Sequence, residues 1–175
     1  MQANYGNLHH GILFVFLEII YKNKKGRKSM ESIINKLNEY LADLNVFYRK
    51  LQNYHWNIEG RDFFVLHSKL EEYYNEINEQ IDEVAEYILS IGGEPLGTMK
   101  DYLNITKIEE AQNIKVKSDV VYEETIKDFT HLLDCANKIK QEAEKIKDAQ
   151  TSTFMDEFIA GYSKTLWMLK QSNKT

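Results

Sequence analysis

Apolar residues recur along most of the chain at alternating steps of three and four, the spacing that places them on one face of an α-helix. In the first stretch this stripe occupies residues 34–51, and its next step falls on His55. Gly60, with Asp62 as an N-cap, and the "GGEP" that starts at Gly92 mark the two ends of the second stretch. The pattern predicts four long helices, at about residues 30–55, at Phe63–Ile91, at Asp119–Lys147 and after a break at residues 147–152 ("KDAQTS").

The lengths of the connections decide how these helices are arranged. Short joins follow the first and third helices, so each should lie antiparallel to the next one. The connection at residues 94–118 shows no sustained apolar stripe, although "MKDYLN" could form a short helix within it. A connection of this length can cross a bundle from end to end. We therefore predict an all-α, ferritin-like four-helix bundle with one long crossover, carrying a short helix, between helices two and three.

The composition agrees with a helical protein and bears on its compartment. The 175 residues include one Pro and eight Gly, which favours helices over a β-rich fold. No apolar run reaches the roughly 18 residues that a membrane-spanning helix needs. Cys135 is the single cysteine, so the chain has no intrachain disulfide, and we interpret it as a small apolar residue inside a helix. These features predict a cytoplasmic protein.

The first 29 residues differ from the rest of the chain. The apolar run "HGILFVFLEIIY" is interrupted by Glu18, and no A-x-A-like cleavage site follows it, so it is a poor signal peptide. A basic "KNKKGRKS" then precedes Met30, and its Gly-Arg pair can be encoded by bases that resemble a bacterial ribosome-binding site. We interpret residues 1–29 as a leader or a disordered extension, and residues 30–175 as the domain. The alternative is a basic arm for nucleic acid or lipid head groups.

The charge of the protein depends on that choice. The whole chain has 22 basic and 27 acidic residues, a net charge of −5. Residues 1–29 hold five of the basic residues and one of the acidic ones, so the domain from Met30 keeps 17 and 26, a net charge of −9. Such a body repels phosphate and attracts cations.

Two pairs of metal-ligating residue types lie on one face of the second helix. His67 and Glu71 form one i,i+4 pair, and Asp82 and Glu86 form the other. At about 100° per residue, all four fall on a narrow strip beside the core stripe. Glu71 and Asp82 are nevertheless about 16 Å apart along the helix axis. Because bonds from first-row metals to their ligands are close to about 2 Å, one chain cannot bring both pairs to one metal.

A two-fold axis removes this difficulty. Positions 67 and 86 are equally far from the point between residues 76 and 77, and so are positions 71 and 82. Two copies of the helix, packed antiparallel about that point, would join each first pair to the partner's second pair, and His55 would complete each cluster. The pattern predicts a dimer with two equivalent metal sites. The alternative is a solvated acidic face, with His55 in the core or against a helix C-terminus.

The segment "YHWNIEGRDFFVLHSKLEEYYNEINEQIDEVAEYILSIGGEP" resembles the signature of the Dps family of miniferritins, the DNA-binding proteins from starved cells. The shared motifs are H-W-N, G-x-x-F-x-x-L-H, I-D-E-x-A-E-R-I and G-G-x-P, and the similarity continues through "TLWMLK". It covers about residues 31–171. Tyr87 stands where the family often has Arg, next to the site without being a ligand.

The resemblance implies a hollow shell of twelve subunits, built from two-fold dimers, that oxidises Fe(II) with hydrogen peroxide and stores the ferric mineral. Carried over by motif, His55 and His67 of one chain face Asp82 and Glu86 of its two-fold mate, and these four are the implied catalytic residues. Glu71 lies beside them as a further metal ligand. The implied cofactor is iron, two ions per intersubunit site.

Two other motifs are weaker. Trp56, next to His55, corresponds to the usual family aromatic beside the site. We interpret it as a packing wall, the alternative being a residue that takes up a stray oxidising equivalent. The ordinary ferritin di-iron pattern needs E-x-x-H on each of two helices, and this chain has none. Asp128-x-x-His131 comes nearest, and we interpret His131 as a surface or capping residue.

The alternative function is a nucleoid-binding protein that coats DNA and does little iron chemistry. DNA binding in this family is attributed to flexible basic tails that neutralise phosphates. A chain that starts at Met30 has no such N-terminal arm, and "QSNKT" offers only Lys174. We therefore expect DNA binding, and any association with the nucleoid, to be weak without residues 1–29.

A closed shell also needs pores through which iron passes. A ring of carboxylates around a narrow pore offsets the hydration that a cation loses there. Asp148, Asp156 and Glu157 lie just before and within the first turns of the fourth helix. We interpret them as candidates for such a ring. The alternative is a solvated helix start, where acidic residues are stabilised by the helix dipole.

Overall fold

Five helices form the described part of the chain, in the predicted order. The computed structural model describes residues 6–173, with the side chains of residues 26–173. The helices are α1 (Gly6–Asn57), α2 (Phe63–Ser90), α3 (Met99–Ile105), α4 (Ser118–Lys145) and α5 (Ala149–Ser172). α1 packs on α2 and α4 packs on α5, while α1 also contacts α4 and α3. The four-helix bundle with a short helix in its crossover is confirmed.

The first helix starts earlier than the apolar stripe indicates. α1 begins at Gly6 and continues through Met30 to Asn57. Residues 1–5 of the proposed leader, and Lys174 near the other end, lie outside the described residues. The interpretation of residues 1–29 as a leader stays a prediction, because a continuous helix does not decide where translation starts.

The core lies between the four long helices. Its largest fully buried side chains include Tyr40 and Phe47 from α1, Phe129 from α4 and Tyr162 from α5. The ring of Phe129 meets that of Phe47 edge-on, with centroids 4.9 Å apart, and this contact joins α1 to α4. Over the described part of the chain, no helix is both long and apolar enough to cross a membrane.

Glycine ends α2 where the sequence predicts. Gly92 has a φ of 80°, in the left-handed region that favours glycine. The N–H groups of Gly92 and Gly93 donate to the carbonyls of Leu89 (3.0 Å) and Ile88 (2.9 Å), which satisfies the last turn of the helix. A Cβ atom on Gly93 would lie 2.9 Å from side-chain carbons of Ile34 and Ile88, so this glycine allows the end of α2 to approach α1.

The turn between α4 and α5 is shorter than predicted. α5 begins at Ala149 and not after residue 152, because Lys147 adopts a left-handed φ of 62° and reverses the chain within residues 146–148. Asp148 is the N-cap of α5, since its Oδ1 accepts the N–H of Thr151 at 3.1 Å. Asp62 occupies the predicted N-cap position of α2, but its side chain makes no capping hydrogen bond.

Polar contacts and a short strand pair fix the crossover. Asp43 of α1 accepts the hydroxyl of Thr106 (2.8 Å) and the backbone N–H of Lys107 (2.7 Å) through Oδ1. Further along, strand β2 (Val116–Lys117) pairs in parallel with strand β1 (Ile58–Glu59), which follows α1. Two-residue strands show no periodicity, so the sequence did not predict them. The pair holds the end of the crossover against the join between α1 and α2.

Candidate metal centre

The end of α1 and the start of α2 bring two histidines into contact. His55 lies in the last turn of α1, and His67 lies in the second turn of α2. Their rings stack with centroids 3.7 Å apart and an angle of 19° between the planes. The join at residues 58–62 is short and includes β1, so the two helix ends stay close together.

Each of the two histidines contacts the backbone of the other. Nδ1 of His55 lies 2.7 Å from the carbonyl oxygen of His67, and Nδ1 of His67 lies 2.9 Å from the carbonyl oxygen of His55. A carbonyl oxygen only accepts hydrogen bonds, so each Nδ1 carries a proton and donates. In the neutral imidazole this leaves the lone pair on Nε2, the atom that can bind a metal. The pair therefore offers two oriented nitrogen ligands.

Aromatic rings hold the histidine pair in place. Phe63 stacks on His67 with ring centroids 5.0 Å apart, and Tyr74 meets His55 edge-on at 5.5 Å. The carboxylate of Glu71 lies beside Tyr74, and burial together with this negative charge raises the pKa of the Tyr74 phenol. Glu71 thus interacts with a ring that packs on His55, and it follows His67 by about one helical turn.

The other two predicted ligands lie far from this pair in the same chain. Asp82 and Glu86 are exposed on α2, and Asp82 follows Glu71 by about 16 Å of helix rise. Among residues 26–173, the one set of three His, Cys, Asp or Glu side chains whose ligand atoms converge lies elsewhere. A single chain therefore joins His55 to His67, with Glu71 nearby, and does not bring Asp82 or Glu86 to them.

Two neighbours of the predicted ligands differ in burial. Trp56 exposes 57% of its surface in one chain, so its interpretation as a packing wall beside a site shared by two chains stays a prediction. As the residue after His55, it points to a different side of the helix. Tyr87 is buried, its hydroxyl lies 2.7 Å from that of Thr151, and its ring stacks on Phe154. The side chain of Tyr87 therefore joins α2 to α5.

The interpretation of His131 as a surface or capping residue is wrong. Its Nε2 lies 2.7 Å from Oδ2 of Asp43 and 3.5 Å from Sγ of Cys135. The hydrogen bond with Asp43, assisted by Cys135, raises the pKa of His131 to about 10. Asp128 instead forms an ion pair with Lys50, at 2.7 Å. The i,i+4 spacing of His131 and Cys135 was the available local signal, but no spacing connects either of them to a residue on α1.

Comparisons with known proteins identify the family. The family model described as a ferritin-like domain matches residues 34–174. The DNA protection during starvation protein 2 of Bacillus anthracis is 39% identical over 140 residues, which cover 80% of this chain and 95% of that protein. The chain belongs to the Dps family of ferritin-like proteins. The Dps resemblance inferred from the sequence motifs is thereby confirmed.

Solved Dps structures share the fold. A Dps protein from Bacillus brevis superposes with a TM-score of 0.81 at 33% identity, covering 84% of this chain and 98% of that one. A Dps protein from Vibrio cholerae O1, described as a member of a broad superfamily of ferritin-like diiron-carboxylate proteins, gives a TM-score of 0.80 at 33% identity. It covers 84% of this chain and 92% of its own. The ferritin-like bundle of this Dps chain is therefore that of solved Dps proteins.

Proposed function

We propose that this protein oxidises Fe(II) with hydrogen peroxide at sites shared by two chains, and that it stores the ferric product in a shell. The observation that carries the proposal is the stacked pair of His55 and His67. Because the Nδ1 atom of each ring donates a hydrogen bond to a carbonyl oxygen, the Nε2 atom of each ring is available to bind a metal. Imidazole nitrogens together with carboxylates suit redox-active iron. Glu71 of the same chain, with Asp82 and Glu86 of the partner subunit, would supply those carboxylates.

Exposed apolar residues support the two-fold arrangement. Phe64 and Leu89 expose 83% and 59% of their surfaces in one chain. At about 100° per residue, both fall on the same face of α2 as the proposed ligands. Positions 64 and 89 are also equally far from the point between residues 76 and 77. An antiparallel dimer would pack Phe64 against the partner's Leu89 and would remove this apolar surface from water.

The chemistry balances with one peroxide for two Fe(II). Each Fe(II) loses one electron, the O–O bond of hydrogen peroxide breaks on accepting both, and two hydroxide ions form. A hydroxyl radical requires delivery of a single electron, so holding two Fe(II) side by side suppresses it. Several relatives are named DNA protection during starvation protein, and the removal of both Fe(II) and peroxide would protect DNA in this way.

An anaerobic titration with Fe(II), followed by peroxide, tests the proposal. We expect two Fe(II) to bind per site, which is two per chain, because each dimer has two equivalent sites. Addition of one peroxide per two bound Fe(II) should then produce fast oxidation. Iron that oxidises no faster with the protein than in buffer would contradict the proposal. The expected assembly is a shell of twelve chains, built as six dimers.

A gel-shift experiment separates iron handling from DNA coating. Protein that starts at Met30 is expected not to retard duplex DNA at physiological salt, because its net charge of −9 opposes phosphate and it lacks the five basic residues of residues 1–29. The full chain is the matched comparison. Retardation of DNA by the protein from Met30, fading with added salt, would favour the DNA-coating function.

Iron uptake is expected to depend on Asp148. Asn caps helices as well as Asp does, so Asp148→Asn removes the charge and retains an N-cap for α5. We expect this variant to take up iron more slowly at low ionic strength, by about 3-fold to 10-fold, with the difference shrinking as salt screens the charge. Stopped-flow uptake at two salt concentrations measures it.

The matched control is Asp119→Asn, which removes an acidic charge from the first turn of α4. Since α4 and α5 are antiparallel neighbours, that turn lies at the opposite end of the bundle from Asp148. Uptake by this control should equal that of the parent protein. Equal uptake by Asp148→Asn at low salt would place the route for iron elsewhere, and would favour the capping role alone.

A further inference from the structure

A second group of metal-ligating side chains lies between α1, α4 and the crossover. The carboxylate of Asp43, the imidazole of His131 and the thiol of Cys135 place their ligand atoms within 4.8 Å of one another. These residues are distinct from the proposed iron ligands, all of which lie in the last turn of α1 or on α2. They combine oxygen, nitrogen and sulfur, a donor set that the proposed iron site does not contain.

Hydrogen bonds from the crossover orient the carboxylate of Asp43. It is 2% exposed, and its Oδ1 accepts hydrogen bonds from the Thr106 hydroxyl and the Lys107 N–H. These two donors hold the carboxylate so that Oδ2 faces His131 at 2.7 Å. Such outer contacts orient the ligands of protein-bound metals. The crossover therefore positions one ligand atom of this group.

The way in which His131 faces its two neighbours distinguishes a ligand set from a nucleophilic triad. In a triad the base uses one ring nitrogen for the nucleophile and the other for the carboxylate. Here the same atom, Nε2 of His131, faces both Oδ2 of Asp43 and Sγ of Cys135. Three donor atoms within 4.8 Å of one another can be bridged by one cation. His131 and Cys135 share one face of α4 because they are four residues apart.

Space for a further ligand adjoins the three side chains. A cavity of about 60 Å³ is lined by Asp43, His131 and Cys135 together with Tyr40 and other residues. A water molecule needs a cavity of at least about 10–15 Å³, so this cavity can hold one water beside the three side chains. Three protein ligands and a water complete a tetrahedron, the geometry that zinc(II) prefers with sulfur, nitrogen and oxygen donors.

We propose that Asp43, His131 and Cys135 form a binding site for zinc(II), with water as the fourth ligand. Binding would release two protons to solvent, the one between His131 and Asp43 and the thiol proton of Cys135, and the ion would bind the resulting thiolate. It would connect α1 to α4 and, through Asp43, to the crossover. Three lysines also line the cavity, and the carboxylates of Asp43 and Glu39 with the thiolate of Cys135 supply three negative charges that offset theirs.

Cobalt(II) reports on this site because only a thiolate ligand produces a sulfur-to-cobalt charge-transfer band. Cys135 is the single cysteine, so this band cannot come from the proposed iron site. We expect titration of the full-length protein with cobalt(II) to produce the band, with a final intensity of one thiolate-bound cobalt(II) per chain, and zinc(II) to abolish it. The His67→Ala, Asp82→Ala double variant should bind cobalt(II) here as tightly as the parent does.

Single variants show whether the three side chains act together. His131→Gln and Asp43→Asn are each expected to weaken cobalt(II) binding at least about 10-fold, and Cys135→Ser to remove the band. X-ray absorption of the His67→Ala, Asp82→Ala variant loaded with one zinc(II) per chain should show a single sulfur ligand among nitrogen and oxygen atoms. In this measurement Asp43, His131 and Cys135 are all unchanged. No band under excess cobalt(II), or a band unchanged in His131→Gln, would overturn the proposal.

Discussion

A His67→Ala, Asp82→Ala double variant is expected to oxidise Fe(II) with peroxide at least about 100-fold more slowly than the parent protein. Loss of residues that only orient metal ligands lowers metal affinity or activity by about 10-fold to 100-fold, and loss of the ligands themselves should exceed that range. In the proposed dimer the two replacements remove one ligand from each side of every site. Stopped-flow absorbance of the ferric product after addition of peroxide measures the rate.

The fold should survive these replacements. His67 is half-buried and Asp82 is exposed, so neither change opens a cavity in the core. The control is the Glu72→Ala, Glu83→Ala variant. Glu72 and Glu83 are exposed acids that follow Glu71 and Asp82 by one residue each, so they have the same spacing but lie on a different side of α2. It should oxidise Fe(II) at the parental rate. A folded His67→Ala, Asp82→Ala protein that matches this control would remove the metal site from the proposed function.

The helices and the histidine pairing differ in how far the sequence could predict them. Apolar periodicity located the four long helices, since burial of one face determines where such residues recur. The motif around His55 and His67 predicted that these residues belong to one site. Their reciprocal contacts with backbone carbonyls could not be predicted, because these depend on the path of residues 58–62 and on its pairing with β2.

Contacts between distant segments were the main failures. Cys135 was interpreted as a small apolar residue in a helix and His131 as a surface or capping residue, yet both lie in one cluster with Asp43, which is 88 residues before His131. Nothing in the local spacing around Asp43 distinguishes it from a solvated acid. The crossover covers Asp43 through Thr106 and Lys107. Because the crossover has no apolar stripe, its sequence gives little indication of which part of α1 it packs against.

Mixing two inactive variants tests directly whether each site takes ligands from two chains. His67→Ala and Asp82→Ala are each expected to be nearly inactive alone. In a mixed dimer one site loses both ligands, while the other keeps His67 from one chain and Asp82 from the other. Random pairing at equal expression makes about half of the dimers mixed, so about a quarter of all sites should be intact. Co-expression of the two chains, followed by rate measurement on the whole assembled population without selection for mixed dimers, measures the recovered activity.

The matched control is the mixture of His55→Ala with His67→Ala. These two ligands come from the same chain at each site, as their ring stacking at 3.7 Å indicates, so every site in their mixed dimer lacks one of the two histidines. This mixture should recover no activity, whereas the mixture of His67→Ala with Asp82→Ala recovers about a quarter of the sites. Recovery in both mixtures, or in neither, would mean that the four ligands are not divided between chains as α2 and its two-fold arrangement predict.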